Sequence, residues 1–152
     1  MLIGSIGATA IPIGKSQAAD YQITGLSAQL FFHDRAQFSE DILSQPNLDL
    51  WNTPTGAGQA GGPSISTLVT VEVSGPPGRF VAGRRVELLV TSGGKIRFKR
   101  SIETPVLSDQ GKVYIAFWLY DTGCEPLDLS ARLTGQNHSS EKSGHIKFAC
   151  GE

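Results

Sequence analysis

Between residues 67 and 74 the chain alternates without a break: Val69, Val71 and Val73 on one phase, Thr70, Glu72 and Ser74 on the other. A period of two is the mark of a half-buried β-strand. Six further strand-like runs lie at 21–32, 85–91, 95–101, 112–120, 127–133 and 145–149. Eighteen glycines and eight prolines in 152 residues fall at short intervals between these runs, so long helices are excluded and turns are frequent.

Each run carries its own detail. In 21–32, Tyr21 and Ile23 share one phase and Leu26, Ala28, Leu30 and Phe32 the other, a switch at Gly25 that predicts a β-bulge. Runs 85–91 and 95–101 are joined by Ser92-Gly93-Gly94, a hairpin signal. Run 112–120 is apolar on both faces, which predicts a central place in its sheet. Run 127–133 buries Leu127, Leu129, Ala131 and Leu133, and the last run offers Ile146, Phe148 and Cys150 to the core.

Seven short strands with hardly any helix predict an all-β fold, an immunoglobulin-like antiparallel β-sandwich, with a small closed β-barrel as the alternative. The two cysteines, Cys124 and Cys150, bracket the last hairpin around a polar turn near residues 137–141. If the hairpin pairs, they meet where its ladder ends, and a disulfide there implies an oxidising compartment. They do not bridge two sheets around a buried tryptophan, as in true immunoglobulin domains.

Residues 1–19 differ from the rest. An apolar, small-residue stretch over 2–14 is followed by Lys15-Ser16-Gln17-Ala18-Ala19, which suits a signal-peptidase site after Ala18 or Ala19. The expectation is a secretory leader over 1–19, its start truncated, and one domain over 20–152, periplasmic or extracellular. The leader is too short and interrupted to span a bilayer. The formal net charge of −1 gives no global attraction to nucleic acid or membranes.

The long connection 33–65 holds a candidate helical turn at 39–43 capped by Ser39, and a glycine-rich loop from Pro54 to Pro63. Connections of this length are often functional, the plainer reading being a cover for one end of the sandwich.

Three groups of residues are candidates for chemistry. Arg79, Arg84, Arg85, Lys95, Arg97, Lys99 and Arg100 are seven of the thirteen basic residues, with Glu87 the one acid among them, a net of +6. Lys95, Arg97 and Lys99 fall on one strand face, roughly 7 Å apart, a row that suits a polyanion. Cations are also the common guard of an exposed edge strand. Tyr114, Trp118 and Tyr120 share one face of run 112–120; they form a stacking platform, or core if the long connection covers them, through Trp51 for example.

His33-Asp34-Arg35 with Glu40 and Asp41 offers an imidazole beside carboxylates. A salt-bridged loop entrance explains that cluster equally well. No nucleophile elbow, paired-histidine motif or C-x-x-C accompanies it. His33, His138 and His145 show no ligand spacing. Asp121, Glu125 and Asp128, or Asp34, Glu40 and Asp41, are loop acids of the type that holds calcium, without EF-hand spacing. Asn137-His138-Ser139 fits a glycosylation sequon.

These readings converge on an exported cell-envelope binding or adhesion-type module. Its partner is a protein or an anionic glycan, with no cofactor, metal, nucleic acid or membrane span. The expected binding residues are Arg84, Arg85, Lys95, Arg97, Lys99, Trp118 and Tyr120. The alternatives are an assembly subunit that pairs through an exposed strand edge and, behind it, a hydrolase built on the His33 loop.

Overall fold

The computed structural model describes residues 20–45, 47–48, 50–51 and 61–149, without the side chain of Trp51. The proposed leader, Cys150 and residues 54–60 of the glycine-rich loop lie outside the described residues.

Ten strands and one short 3-10 turn follow in the order β1 (Gln22–Phe32), β2 (Gln37–Phe38), the turn Ile42–Ser44, β3 (Leu50–Trp51), β4 (Ser66–Ser74), β5 (Arg85–Ser92), β6 (Lys95–Glu103), β7 (Lys112–Tyr120), β8 (Leu127–Thr134), β9 (Ser140–Ile146) and β10 (Phe148–Ala149). Seven are long and six of them match the runs in the sequence, whereas run 145–149 is divided between the end of β9 and β10, which pairs β3 and not β8; β2, β3 and β10 have two residues each. They build two antiparallel four-stranded sheets, β2-β1-β4-β7 and β6-β5-β8-β9, with β10 pairing β3 in parallel beside them. The sheets pack face to face as a β-sandwich, and neither closes into a barrel. Among the described residues no helix is long and apolar enough to cross a membrane.

Alternation sets the core. Val69, Val71 and Val73 of β4 face Val86, Leu88 and Val90 of β5, with Leu129 and Ala131 of β8 and Phe117 of β7 completing the layer, all essentially inaccessible. The ladder of β1 on β4 slips between Ile23 and Gly25, the bulge expected from the phase switch. The β5–β6 hairpin turns on Gly93 and Gly94 alone, both at positive φ, which matches the right-handed twist of the strands it joins.

Three expectations are corrected. First, β7 is an edge strand of its sheet instead of a central one. It is apolar on both faces because its inner face is core and its outer face carries exposed aromatics. Second, residues 140–144 belong to β9, paired with β8 from Leu133↔Ser140 onward, so the last turn is shorter than expected. Their polarity concealed the strand, since inward-facing Ser140 and Gly144 are small. Gly144 accommodates Leu43 and Leu26, and Ser140 Oγ accepts the Ile23 amide at 2.8 Å. Third, the helical turn begins at Ile42 and is capped by Asp41, not Ser39.

The described part of the long connection closes one side of the sandwich. Ser39 Oγ accepts the Leu30 amide at 2.9 Å, and Asp41 Oδ1 accepts the Ala28 amide at 2.9 Å and the Leu43 amide at 3.1 Å. Ile42 is buried, and the turn it starts packs between β1 and β9. The opposite side, bounded by β6 and β7, stays open; there Phe98 meets Phe117 edge-on across the two sheets.

Candidate functional site

The basic residues do not act together. Arg84 is 7% exposed and is a structural residue. Its guanidinium lies 4.7 Å over the Tyr21 ring, donates to Gln136 Oε1 and stands 4.0 Å from Asp20, while its Nε is buried without a partner among the described residues. Arg85 lies across β6, donating from Nε to Ser101 Oγ at 2.9 Å and from a terminal nitrogen to the Ser101 carbonyl at 3.0 Å. Arg97 pairs with Glu125, and Lys99 Nζ sits 3.4 Å from Glu87. Two of the three cations of the row are therefore neutralised. Lys95 and Arg100 are exposed and have no acidic partner among the described residues. Strand β6, which bears these cations, is the edge of its sheet, as an edge guard requires.

Beside β6 the open side of the sandwich holds a cavity of about 430 Å³. Val90, Leu119 and Leu127 are its buried floor, with half-buried Phe98. Arg97, Tyr120, Asp121 and Glu125 are its exposed mouth. Two predicted binding residues, Arg97 and Tyr120, thus meet here, together with Cys124. Asp121, at the cavity mouth, holds a left-handed backbone at φ 54°, a conformation more common for aspartate than for most residues. Glu125 also accepts from Ser92 Oγ at 3.0 Å.

The aromatic row is not core. Tyr114 is 62% and Tyr120 71% exposed on the outer face of β7. Trp118 is half-buried between Tyr120 at 6.0 Å, Phe31 at 5.3 Å and Phe38 at 6.0 Å between ring centroids. Phe31 and Phe38 complete this cluster without a signal in the sequence that pairs them with Trp118. The signal for Phe38 was too weak, since β2 is two residues long and pairs only with Phe31 and Phe32. The Trp118 indole N–H is buried and has no partner among the described residues.

On the same outer face Glu72 receives hydrogen bonds from Thr24 Oγ1 at 2.7 Å and Lys112 Nζ at 3.0 Å, and from the Tyr114 hydroxyl. The Thr24 bond, then those from Lys112 and Tyr114, hold its carboxyl at about 2. The bond to Glu72 raises Lys112 and Tyr114 in turn.

The His33 loop does not assemble an acid–base pair among the described residues. His33 Nε2 bonds Ser66 Oγ at 3.0 Å, Asp34 pairs with Arg35 at 3.1 Å, and Asp41 is occupied by backbone amides. Arg35 lies 3.9 Å over the Phe32 ring and donates to the Gly61 carbonyl at 3.0 Å, so this is a salt-bridged loop entrance. The candidate calcium acids are not gathered: no group of three or more metal-ligating side chains exists among the described residues. Asp128 bonds His145 at 2.7 Å instead. The Asn137-His138-Ser139 tripeptide is exposed.

Fold and site together define a β-sandwich with one closed and one open side. No family model, no curated protein and no solved structure matches the chain.

Proposed function

We propose that this protein is an exported, immunoglobulin-like binding module of a cell envelope, which contacts an anionic glycan or an acidic protein along the β6 edge. The observation that carries this reading is the position of Lys95 and Arg100 on an exposed sheet edge, next to the cavity that Arg97 and Tyr120 border. Arg97 and Lys99, held by Glu125 and Glu87, are cations that an incoming carboxylate competes for. An order of three long strands (β1-β4-β7) against four (β6-β5-β8-β9) supports the immunoglobulin-like reading. Export is supported by the apolar leader and by the absence of a free cysteine among the described residues. A Cys124–Cys150 bond belongs to this reading, although Cys150 lies outside the described residues.

Binding of polygalacturonate, an acidic polysaccharide, tests it. The protein should bind at low ionic strength and release as salt screens the contact. Lys95→Glu with Arg100→Glu should weaken binding at least tenfold. Binding that neither salt nor the double substitution alters would overturn the reading.

A second reading, an assembly subunit that pairs through a strand edge, is favoured by a different observation. Strand β7 presents a free edge without the cations that guard β6.

A further inference from the structure

The strand edges of this sandwich are not treated alike. At and beside β1 four backbone amides are taken by side chains: Tyr21 by Gln136, Ile23 by Ser140, Ala28 by Asp41 and Leu30 by Ser39. These acceptors stop another strand from docking there. Strand β6 carries Lys95, Arg97, Lys99 and Arg100, and two copies brought edge to edge along it would oppose like charges.

On β7 neither device is present. The Ser108 turn engages Lys112, through its amide at 3.3 Å and its carbonyl at 3.0 Å. Beyond it, from Val113 to Tyr120, no side-chain acceptor or loop carbonyl among the described residues meets the free backbone edge. The stretch has no proline, no glycine, no bulge and no charge. A long uncharged edge of this kind is a template for strand pairing.

The edge is also complementary to itself. When two copies of β7 run antiparallel about a twofold axis at Ala116, residues 113–119 overlap completely. On the outer face Tyr114 then stands opposite Trp118 of the second copy, and Trp118 opposite its Tyr114. On the inner face Val113 meets Leu119, and Ile115 meets Phe117. Aromatic and aliphatic cross-strand pairs of this kind stabilise a ladder. The exposed Ala116 falls on the axis, where its small side chain faces its own copy. With a formal net charge of −1 per chain, repulsion between copies is slight.

We infer that the protein forms a twofold dimer through β7, joining the two β2-β1-β4-β7 sheets into one continuous eight-stranded sheet. This rests on the edge-pairing reading and not on anion binding. The two fail separately, because Ala116 lies on the opposite sheet from Lys95 and Arg100.

Sedimentation equilibrium of the full chain decides it. The wild-type mass should rise with concentration from 16.2 kDa to twice that value. Ala116→Lys and Ala116→Glu each place like charges on the axis, and each should hold the protein at the monomer mass with its circular dichroism unchanged. Mixing the two variants in equal amounts should restore the dimer, since lysine then faces glutamate. A wild type that stays monomeric overturns the inference. So does a lysine variant that dimerises like wild type, or a mixture that remains monomeric.

Discussion

Glu72 ties three strands together on the outer face, receiving Thr24 from β1 and Lys112 and Tyr114 from β7. Its carboxyl titrates at about 2 against an ordinary 4.5, so the ionised form is favoured by folding. That contribution is complete above the ordinary value and disappears as pH falls from about 4.5 to about 2. Glu72→Gln should therefore melt below wild type at neutral pH, and the two melting curves should converge by pH 2. The network is exposed, so the difference should also shrink in salt. Arg84 separates two roles that look identical in the sequence. Buried over Tyr21 and bonded to Gln136, it should cost about 2 kcal/mol when replaced by alanine. Polygalacturonate binding by the same variant should be unchanged in titration calorimetry, because the side chain does not reach the surface.

Among the elements, the 3-10 turn Ile42–Ser44 depends on one carboxylate that serves the backbone of β1 and of the turn itself. Asp41→Ala removes the acceptor of the Ala28 and Leu43 amides together and should cost about 1–2 kcal/mol in chemical denaturation. Asp41→Asn keeps an acceptor and should recover most of the loss. The elements differ in how legible they were. The strand β4 is unmistakable because its two faces meet opposite environments, core and solvent. The strand β9 was half hidden because small and polar residues line the side where Leu43 and Leu26 already fill the space. The edge position of β7 is hidden for the opposite reason. An apolar outer face normally means a covering layer, and here it carries exposed Tyr114 and Tyr120.

For the whole molecule the contrast is between a sealed side, where β1 and β9 are bridged by the connection after β1, and an open side at β6 and β7. The proposed Cys124–Cys150 bond would tie the chain that follows β10 to the loop bordering the cavity on that open side. It closes a loop of about 26 residues, so reduction should lower unfolding stability by about 3 kcal/mol in a denaturant titration. Two reactive thiols in the untreated protein would refute the bond. The site was legible only as a set of residue types: Arg97 and Tyr120 are far apart in the chain and meet because β6 and the end of β7 flank one opening.

What the sequence determined by itself is the β class, six of the seven long strands, the bulge at Gly25 and the inward residues of β4 and β8. Those follow from alternation and turn chemistry, which are local and leave a period in the chain. Only the tertiary structure decided which strands are edges, which cations are already paired, and whether the aromatic row is covered. These depend on neighbours brought in from distant positions: Glu125 against Arg97, Gln136 against Arg84, Phe38 against Trp118. A strand's own pattern records that one of its faces is apolar, but not what, if anything, lies against it.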